Sequence, residues 1–185
     1  MSLASWDIKS EVQQGDWTLF LDRDGVINRR IVDDYVKRWE DFEFLPGVLE
    51  SFPIFAKNFK RIFIVTNQQG IGKGLMTNEA VEEVHRKMKT EIELMNCPID
   101  AIYYCPSLAA ENSSRRKPNP GMALQAKSEF PEIDLKKSIM VGDSPSDIEF
   151  GINAGMRTVF IGQRELNFPT DAQFDSLADF AKSLK

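Results

Sequence analysis

"WTLFLDRDGVIN", residues 17–28, decides the fold. Trp17, Leu19, Phe20 and Leu21 form an apolar run of strand length, and Gly25 breaks it. Asp22 and Asp24 fall where that run gives out. A carboxylate at the end of a buried strand is costly unless its charge is compensated. The ordinary readings of such a pair are a helix N-cap, a turn aspartate or a solvated loop. The chemical readings are a metal site, an acid/base pair or a carboxylate nucleophile. Taken alone the stretch leaves both sets open, and the rest of the chain has to decide.

Further apolar runs of strand length occur at 61–66, 101–104, 138–141 and 158–161, after the first at 18–21. Helix-length stretches at 47–58, 78–95, 120–130, 146–154 and 175–183 alternate with them. In the second of these Val81, Val84, Met88, Ile92 and Met95 share one stripe, with Thr77 as N-cap. Strands alternating with helices predict an α/β fold, Rossmann-like and three-layered, with a mostly parallel sheet. The strands are apolar throughout, as a sheet covered on both faces requires. Residues 28–46 and the loop after Tyr104 are too short for a separate cap domain. Residues 1–16 read as an N-terminal extension, with 1–3 as an expression leader, and 17–185 as one domain.

Composition narrows the function. The 185 residues are 42% hydrophobic and 28% charged, with 23 basic against 28 acidic side chains, a net of −5. That balance points away from nucleic acid and from anionic membranes as partners, and leaves room for a small basic pocket. Cys97 and Cys105 are the only cysteines, which suits a reducing, cytoplasmic setting. No extended apolar face stands out as an interface, so a monomer is expected.

In parallel α/β sheets ligands bind outside the carboxyl ends of the strands. The polar motifs fall there: Asp22 and Asp24 after the first strand, "TNQQG" (66–70) after the second, "YYCPS" (103–107) after the third and "GDSPSD" (142–147) after the fourth. Asp143 adds a third carboxylate, with Asp147 in the next turn. Converging carboxylates repel one another unless a hard cation lies among them, and oxygen-only ligands suit Mg²⁺. Lys117, beside Arg116, and the donors of Thr66 and Asn67 complete the parts list of a phosphoryl-transfer site.

In this order, "DRDG", "TNQ", "RKPNPGM" and "GDSPSD" resemble the four motifs of the haloacid dehalogenase-like (HAD) phosphatases. The wider set "FLDRDGVIN", "DYV", "FEFLPGV", "IVTNQQGIGKGLMT" and "IYYCP" resembles the D-glycero-D-manno-heptose-1,7-bisphosphate 7-phosphatase and histidinol-phosphatase subfamily. The resemblance implies a small phosphorylated metabolite as substrate, most simply the heptose bisphosphate. Histidinol phosphate, another small phosphomonoester, or a non-catalytic binding protein on the same fold are the alternatives. It implies Asp22 as nucleophile, Asp24 as general acid/base, and Thr66 and Lys117 on the transferring phosphoryl group. Mg²⁺ would be held by Asp22, the Asp24 backbone carbonyl and Asp143. Asn67, Gln68, Lys73 and Arg116 would contact substrate, Lys73 at a second phosphate, while Asp147 would orient Lys117 or metal-bound water.

The chain departs from the subfamily at one place. A structural zinc there uses a Cys-x-His pair and a later Cys-x-Cys pair, but here only Cys105 remains, with Ser107, Ser113 and Arg115 at the other positions. One ligand cannot close a zinc site. No structural zinc is expected, and the loop 106–116 should hold itself by packing or hydrogen bonds. His85, in "EEVHRKMK", reads as a surface or helix-face residue rather than a catalyst. Tyr35 and Arg38 lie in a segment placed to fold over the site.

Overall fold

The computed structural model describes residues 6–164 and 167–185. The described residues form a six-stranded sheet in the order β3-β2-β1-β4-β5-β6, every pair parallel. The strands are β1 (Thr18–Leu21), β2 (Arg61–Asn67), β3 (Ala101–Cys105), β4 (Ser138–Gly142), β5 (Arg157–Ile161) and β6 (Ala172–Phe174). The helices are α1 (Ile8–Gln13), α2 (Val48–Asn58), α3 (Asn78–Glu93), α4 (Gly121–Glu129), α5 (Pro145–Ala154) and α6 (Leu177–Ser183).

Alternation along each strand divides the core in two. Leu19, Leu21, Ile62, Ile64, Ile139 and Val141 pack with Val48, Phe52 and Phe55 of α2, Met88 and Ile92 of α3 and Phe180 of α6. Phe20, Phe63, Val65, Tyr103 and Met140 pack on the other face with Met122 and Ala126 of α4 and Phe150 of α5. Two covered faces are why these strands read as continuous apolar runs. Thr77 caps α3 as expected, its Oγ1 accepting from the Ala80 N–H at 3.2 Å.

Two elements escaped the sequence reading. Helix α1 lies within the stretch expected to be an extension, yet Ile8 and Val12 are buried in the first core cluster. Lys9 Nζ also donates to the Lys185 carbonyl at 2.7 Å, and Trp6 stands 6.4 Å from Trp17. Residues 1–3, read as a leader, lie outside the described residues. Strand β6 is a three-residue edge strand of mixed polarity, "AQF", paired only to β5, so no apolar run announces it.

Sheet order fixes the position of the site. β1 lies between β2 and β4, so the connections leaving β1 and arriving at β4 diverge, and the crevice opens at their carboxyl ends. The segment between β1 and α2 crosses this edge as a strap with one 3-10 turn, Trp39–Asp41. It is tied down by the Arg29 N–H donating to the Glu43 carbonyl at 2.8 Å. Trp39, Phe42 and Phe44 brace it, with ring centroids 5.0 Å apart for the first pair and 4.9 Å for the second.

Candidate active site

The chain leaves β1 at Asp22, whose N–H donates to the Val141 carbonyl of β4 at 2.9 Å. Asp22 is buried, and its Oδ1 accepts from Lys117 Nζ at 2.7 Å. Lys117 reaches the strand ends from the loop before α4; its Nζ also donates to the Val65 carbonyl at 2.8 Å and pairs with Asp147 Oδ1 at 2.6 Å. Asp147 is set by the start of α5: its Oδ2 accepts from the Ser144 N–H at 3.0 Å and from the Ser144 hydroxyl at 2.5 Å. Asp143 leaves β4 beside it. Oxygen atoms of Asp22, Asp143 and Asp147 lie within 4.8 Å of one another, the one such acidic cluster among the described residues.

Glycine is required where these elements meet. Gly25 has φ +95°, and a Cβ there would stand 2.0 Å from Asp143 Oδ2. The turn separating Asp22 from Asp24 therefore also makes room for the third carboxylate.

Electrostatics follow from burial and crowding. Burial, reinforced by the Asp147 charge, pushes Asp22 up to about 8 despite Lys117. Burial likewise raises Asp143 to about 6, opposed by Arg30. Burial alone would lower Lys117, but the Asp147 and Asp22 carboxylates override it and hold the ammonium charged. Asp24 behaves differently. Burial would raise it, yet the Arg23 charge and hydrogen bonds from Arg23, Asn28 and Gln68 hold it below the usual carboxylate range.

The remaining predicted residues divide by what their polar atoms touch. Thr66 Oγ1 accepts from Gln68 Nε2 at 2.8 Å, and the same nitrogen donates to Asp24 Oδ2 at 2.8 Å. Asn67 grips the Lys117 backbone at two points, its Nδ2 donating to the carbonyl and its Oδ1 accepting from the N–H, both at 3.0 Å. Arg116 Nη1 donates to the Ser107 carbonyl at 3.1 Å and Nη2 to Gln69 Oε1 at 3.4 Å. Lys73 is exposed, 5.4 Å above the Tyr35 ring. A cleft of about 540 Å³ joins Asp22, Asp24, Thr66, Asn67, Lys117 and Asp147 to Lys73, Arg116, Arg30 and Tyr35. Gln68 lies behind this wall and is buried. Arg38, expected near the site, instead pairs with Asp41 at 3.2 Å.

Three residues were missed or misread in the sequence. Arg30 Nη2 donates to both the Asp24 carbonyl at 3.1 Å and Asp143 Oδ1 at 2.9 Å. Arg23 is fully buried and donates to Asp24 Oδ1 at 2.9 Å. His85 is not on the helix surface: it is buried, 3.0 Å from Arg23 Nη1, and burial together with that cation pushes it down to about 3. Its place at i+4 from Val81 on the buried stripe was the available signal.

The loop after β3 closes through its own bonds. Cys105 Sγ lies 3.9 Å from Ser113 Oγ, the Ser113 carbonyl accepts from Asn119 Nδ2 at 2.9 Å, and the Leu108 N–H donates to Glu111 Oε2 at 3.2 Å.

Comparison with known proteins agrees with this fold. The HAD-hydrolase-like family model matches residues 114–179, the stretch carrying Lys117, Asp143 and Asp147. The D-glycero-alpha-D-manno-heptose-1,7-bisphosphate 7-phosphatase of Mycobacterium tuberculosis is 40% identical over 170 residues, covering 89% of this chain and 90% of that one. The D-glycero-beta-D-manno-heptose-1,7-bisphosphate 7-phosphatase of Helicobacter pylori is 37% identical over 140 residues, with coverage of 75% and 79%. The crystal structure of D,D-heptose 1,7-bisphosphate phosphatase from B. bronchiseptica, complexed with magnesium and phosphate, superimposes with a TM-score of 0.81 at 28% identity, covering 91% of this chain and 97% of that one. Fold and site together define a HAD-like hydrolase. Within that class the chain belongs to the heptose-1,7-bisphosphate 7-phosphatase family.

Proposed function

We propose that this protein is a Mg²⁺-dependent phosphomonoesterase that removes the 7-phosphate from D-glycero-D-manno-heptose 1,7-bisphosphate. The observation carrying this reading is the contact of Asp22 with Lys117, at 2.7 Å, beside a cluster of three carboxylates at the switch point of the sheet.

The donor set fits a hard divalent cation: it is all oxygen, the Asp22 and Asp143 carboxylates approach within 4.8 Å of each other, and burial, reinforced by neighbouring carboxylates, raises both. Asp22, Asp143 and the Asp24 carbonyl would hold Mg²⁺, while Asp147 stays engaged with Lys117 and Ser144. When bound, the ion offsets the charge of the phosphate and of the carboxylates.

The residues then take separate tasks. The Asp22 carboxylate attacks phosphorus; its O–P bond forms as the bond to the sugar oxygen breaks, giving an aspartyl-phosphate. Lys117 neutralises charge on the moving group and holds Asp22 Oδ1 by its hydrogen bond. Thr66 Oγ1 already accepts from Gln68, so its own hydrogen is free to donate to a phosphoryl oxygen. Asp24 protonates the departing sugar oxygen, then takes a proton from the water that attacks the aspartyl-phosphate, releasing phosphate and restoring Asp22. Arrival of the phosphate dianion puts like charge beside Asp24, which favours the protonated form needed first.

Asn67 and Gln68 act on this reading by holding Lys117 and Asp24 rather than by touching substrate. Lys73 and Arg116, at the rim, would receive the second phosphate. The domain, with α1 packed into its core, works as a monomer in a reducing cytoplasm, without a structural zinc, nucleic acid or membrane; support comes from the two free buried cysteines and from the self-bonded loop after β3. No helix among the described residues is long and apolar enough to cross a membrane.

The test is phosphate release from both anomers of the heptose bisphosphate, from histidinol phosphate and from sugar monophosphates, with and without Mg²⁺. Preferred turnover of a heptose bisphosphate is expected. Better turnover of histidinol phosphate would sink the substrate assignment, and no Mg²⁺-dependent hydrolysis of any ester would sink the enzyme reading.

A further inference from the structure

We propose that Arg23 and His85 are a buried positioning pair that fixes the Asp24 carboxylate from behind, tying helix α3 to the proton-transfer residue; this rests on the role given to Asp24 above. Arg23 is the largest side chain with no solvent exposure among the described residues. A guanidinium in that position is costly, and apolar replacement of buried ion pairs is often neutral or stabilising. Its bonding is also incomplete: Nη2 donates to Asp24 Oδ1 at 2.9 Å and Nη1 faces His85 Nε2 at 3.0 Å, while Nε finds no partner among the described residues. Simple stability does not account for retaining such a group.

The geometry also defines the proton on His85. A guanidinium has donors only, so the ring nitrogen facing it presents a lone pair, leaving the proton on Nδ1. The ring is held on the buried stripe of α3 with Val81, Val84 and Met88, and Tyr104 packs against it at 5.5 Å. His85 therefore acts as a fixed acceptor that aims Arg23.

Asp24 is gripped from three elements. Arg23, anchored to α3, and Asn28 of the strap, at 3.0 Å, both donate to Oδ1, and Gln68 at the end of β2 donates to Oδ2 at 2.8 Å. The Asp24 side chain keeps partial exposure and lines the cleft. Three donors from different directions leave the carboxylate one orientation, with its free edge toward the leaving group. Such fixing raises the effective concentration of a proton donor and removes the freedom a loop carboxylate otherwise has.

The experiment compares the full-length protein with His85→Phe, which keeps bulk but loses the acceptor, and His85→Gln, whose amide oxygen replaces Nε2. His85→Asn, too short to reach Arg23, is carried alongside and replaces His85→Phe if the phenyl ring is not accommodated. The readouts are kcat/KM on the heptose bisphosphate and on p-nitrophenyl phosphate, and the Mg²⁺ Kd by calorimetry. The sugar alkoxide needs a proton to leave and nitrophenolate does not. A mispositioned acid should thus cost about tenfold on the sugar phosphate and under about threefold on the aryl phosphate. His85→Gln should stay within about twofold of the parent on both, and the Mg²⁺ Kd should not move. Equal losses on both substrates, no loss in His85→Phe, or failure of His85→Gln to rescue would overturn the pair. If the unmodified protein hydrolyses neither substrate, the role of Asp24 falls and this proposal with it.

Discussion

The inner wall of the cleft and its rim solve different problems. Asp22, Lys117 and Asp147 are 5%, 3% and 1% exposed, at strand ends or at a helix start, each held by at least two polar contacts. Lys73, Arg30 and Tyr35 ride on loops, and Arg30 is half exposed. Chemistry on phosphorus needs charges at fixed positions in a low dielectric, which burial supplies at a cost in stability. Recognition of the rest of the substrate tolerates, and gains from, side chains that can adjust. On the proposed function, reaction type lies in the wall and substrate choice in the rim.

The largest effect should come from the wall. Asp22→Asn should lower kcat by at least about 10⁴-fold while substrate still binds, measured by steady-state phosphate release and by calorimetry. Because burial and neighbouring carboxylates raise Asp22 to about 8, the uncharged amide should leave the Tm equal or higher. Appreciable residual turnover, or a large drop in Tm, would break the picture of a wall built for chemistry against stability.

Behind that wall His85 makes a prediction for pH. Its folded value is depressed to about 3, below the ordinary value of 6.5, so the unfolded chain takes up the proton first. The stability this contributes is present above the unfolded value and is lost as pH falls from there toward 3. Between pH 7 and pH 5 the unmodified protein should lose about 2 kcal/mol more than His85→Gln, read from urea unfolding at each pH. Parallel losses in the two proteins would mean that the histidine takes up its proton as readily in the fold as in the unfolded chain.

Rim substitutions should be milder and should separate substrates. Lys73→Ala should raise KM for a bisphosphate by about fivefold with kcat little changed, and should barely affect a monophosphate, since one exposed cation on one phosphate contributes about 1 kcal/mol. A fall in kcat equal to the rise in KM would move Lys73 from recognition to catalysis. Smallest of all, Arg30→Ala should tighten Mg²⁺ binding a few-fold by calorimetry, because its guanidinium donates to two oxygens assigned to the ion. Weaker binding would mean instead that Arg30 organises those oxygens for the metal.

Much of the wall was legible because it obeys local rules. Asp22, Thr66, Asp143 and Lys117 each stand next to an apolar strand or in a rigid proline-flanked loop, and their order along the chain follows the order of the strands. The rim and the supports were not, because their roles depend on long-range approach. Arg30 meets Asp143 across 113 positions, and Arg23 meets His85 across 62. A histidine on an otherwise charged helix looks like a surface residue until the sheet behind it is known.

The sequence by itself determined the parallel sheet, the edge at which the polar motifs gather and the class of chemistry they permit, since apolar periodicity and motif order are properties of the chain taken locally. Only the tertiary structure decided that α1 joins the core, that Gln68 and Asn67 face Asp24 and Lys117, and that Asp24 is held from α3. Those outcomes depend on which buried polar groups find partners, and that is settled when the elements pack.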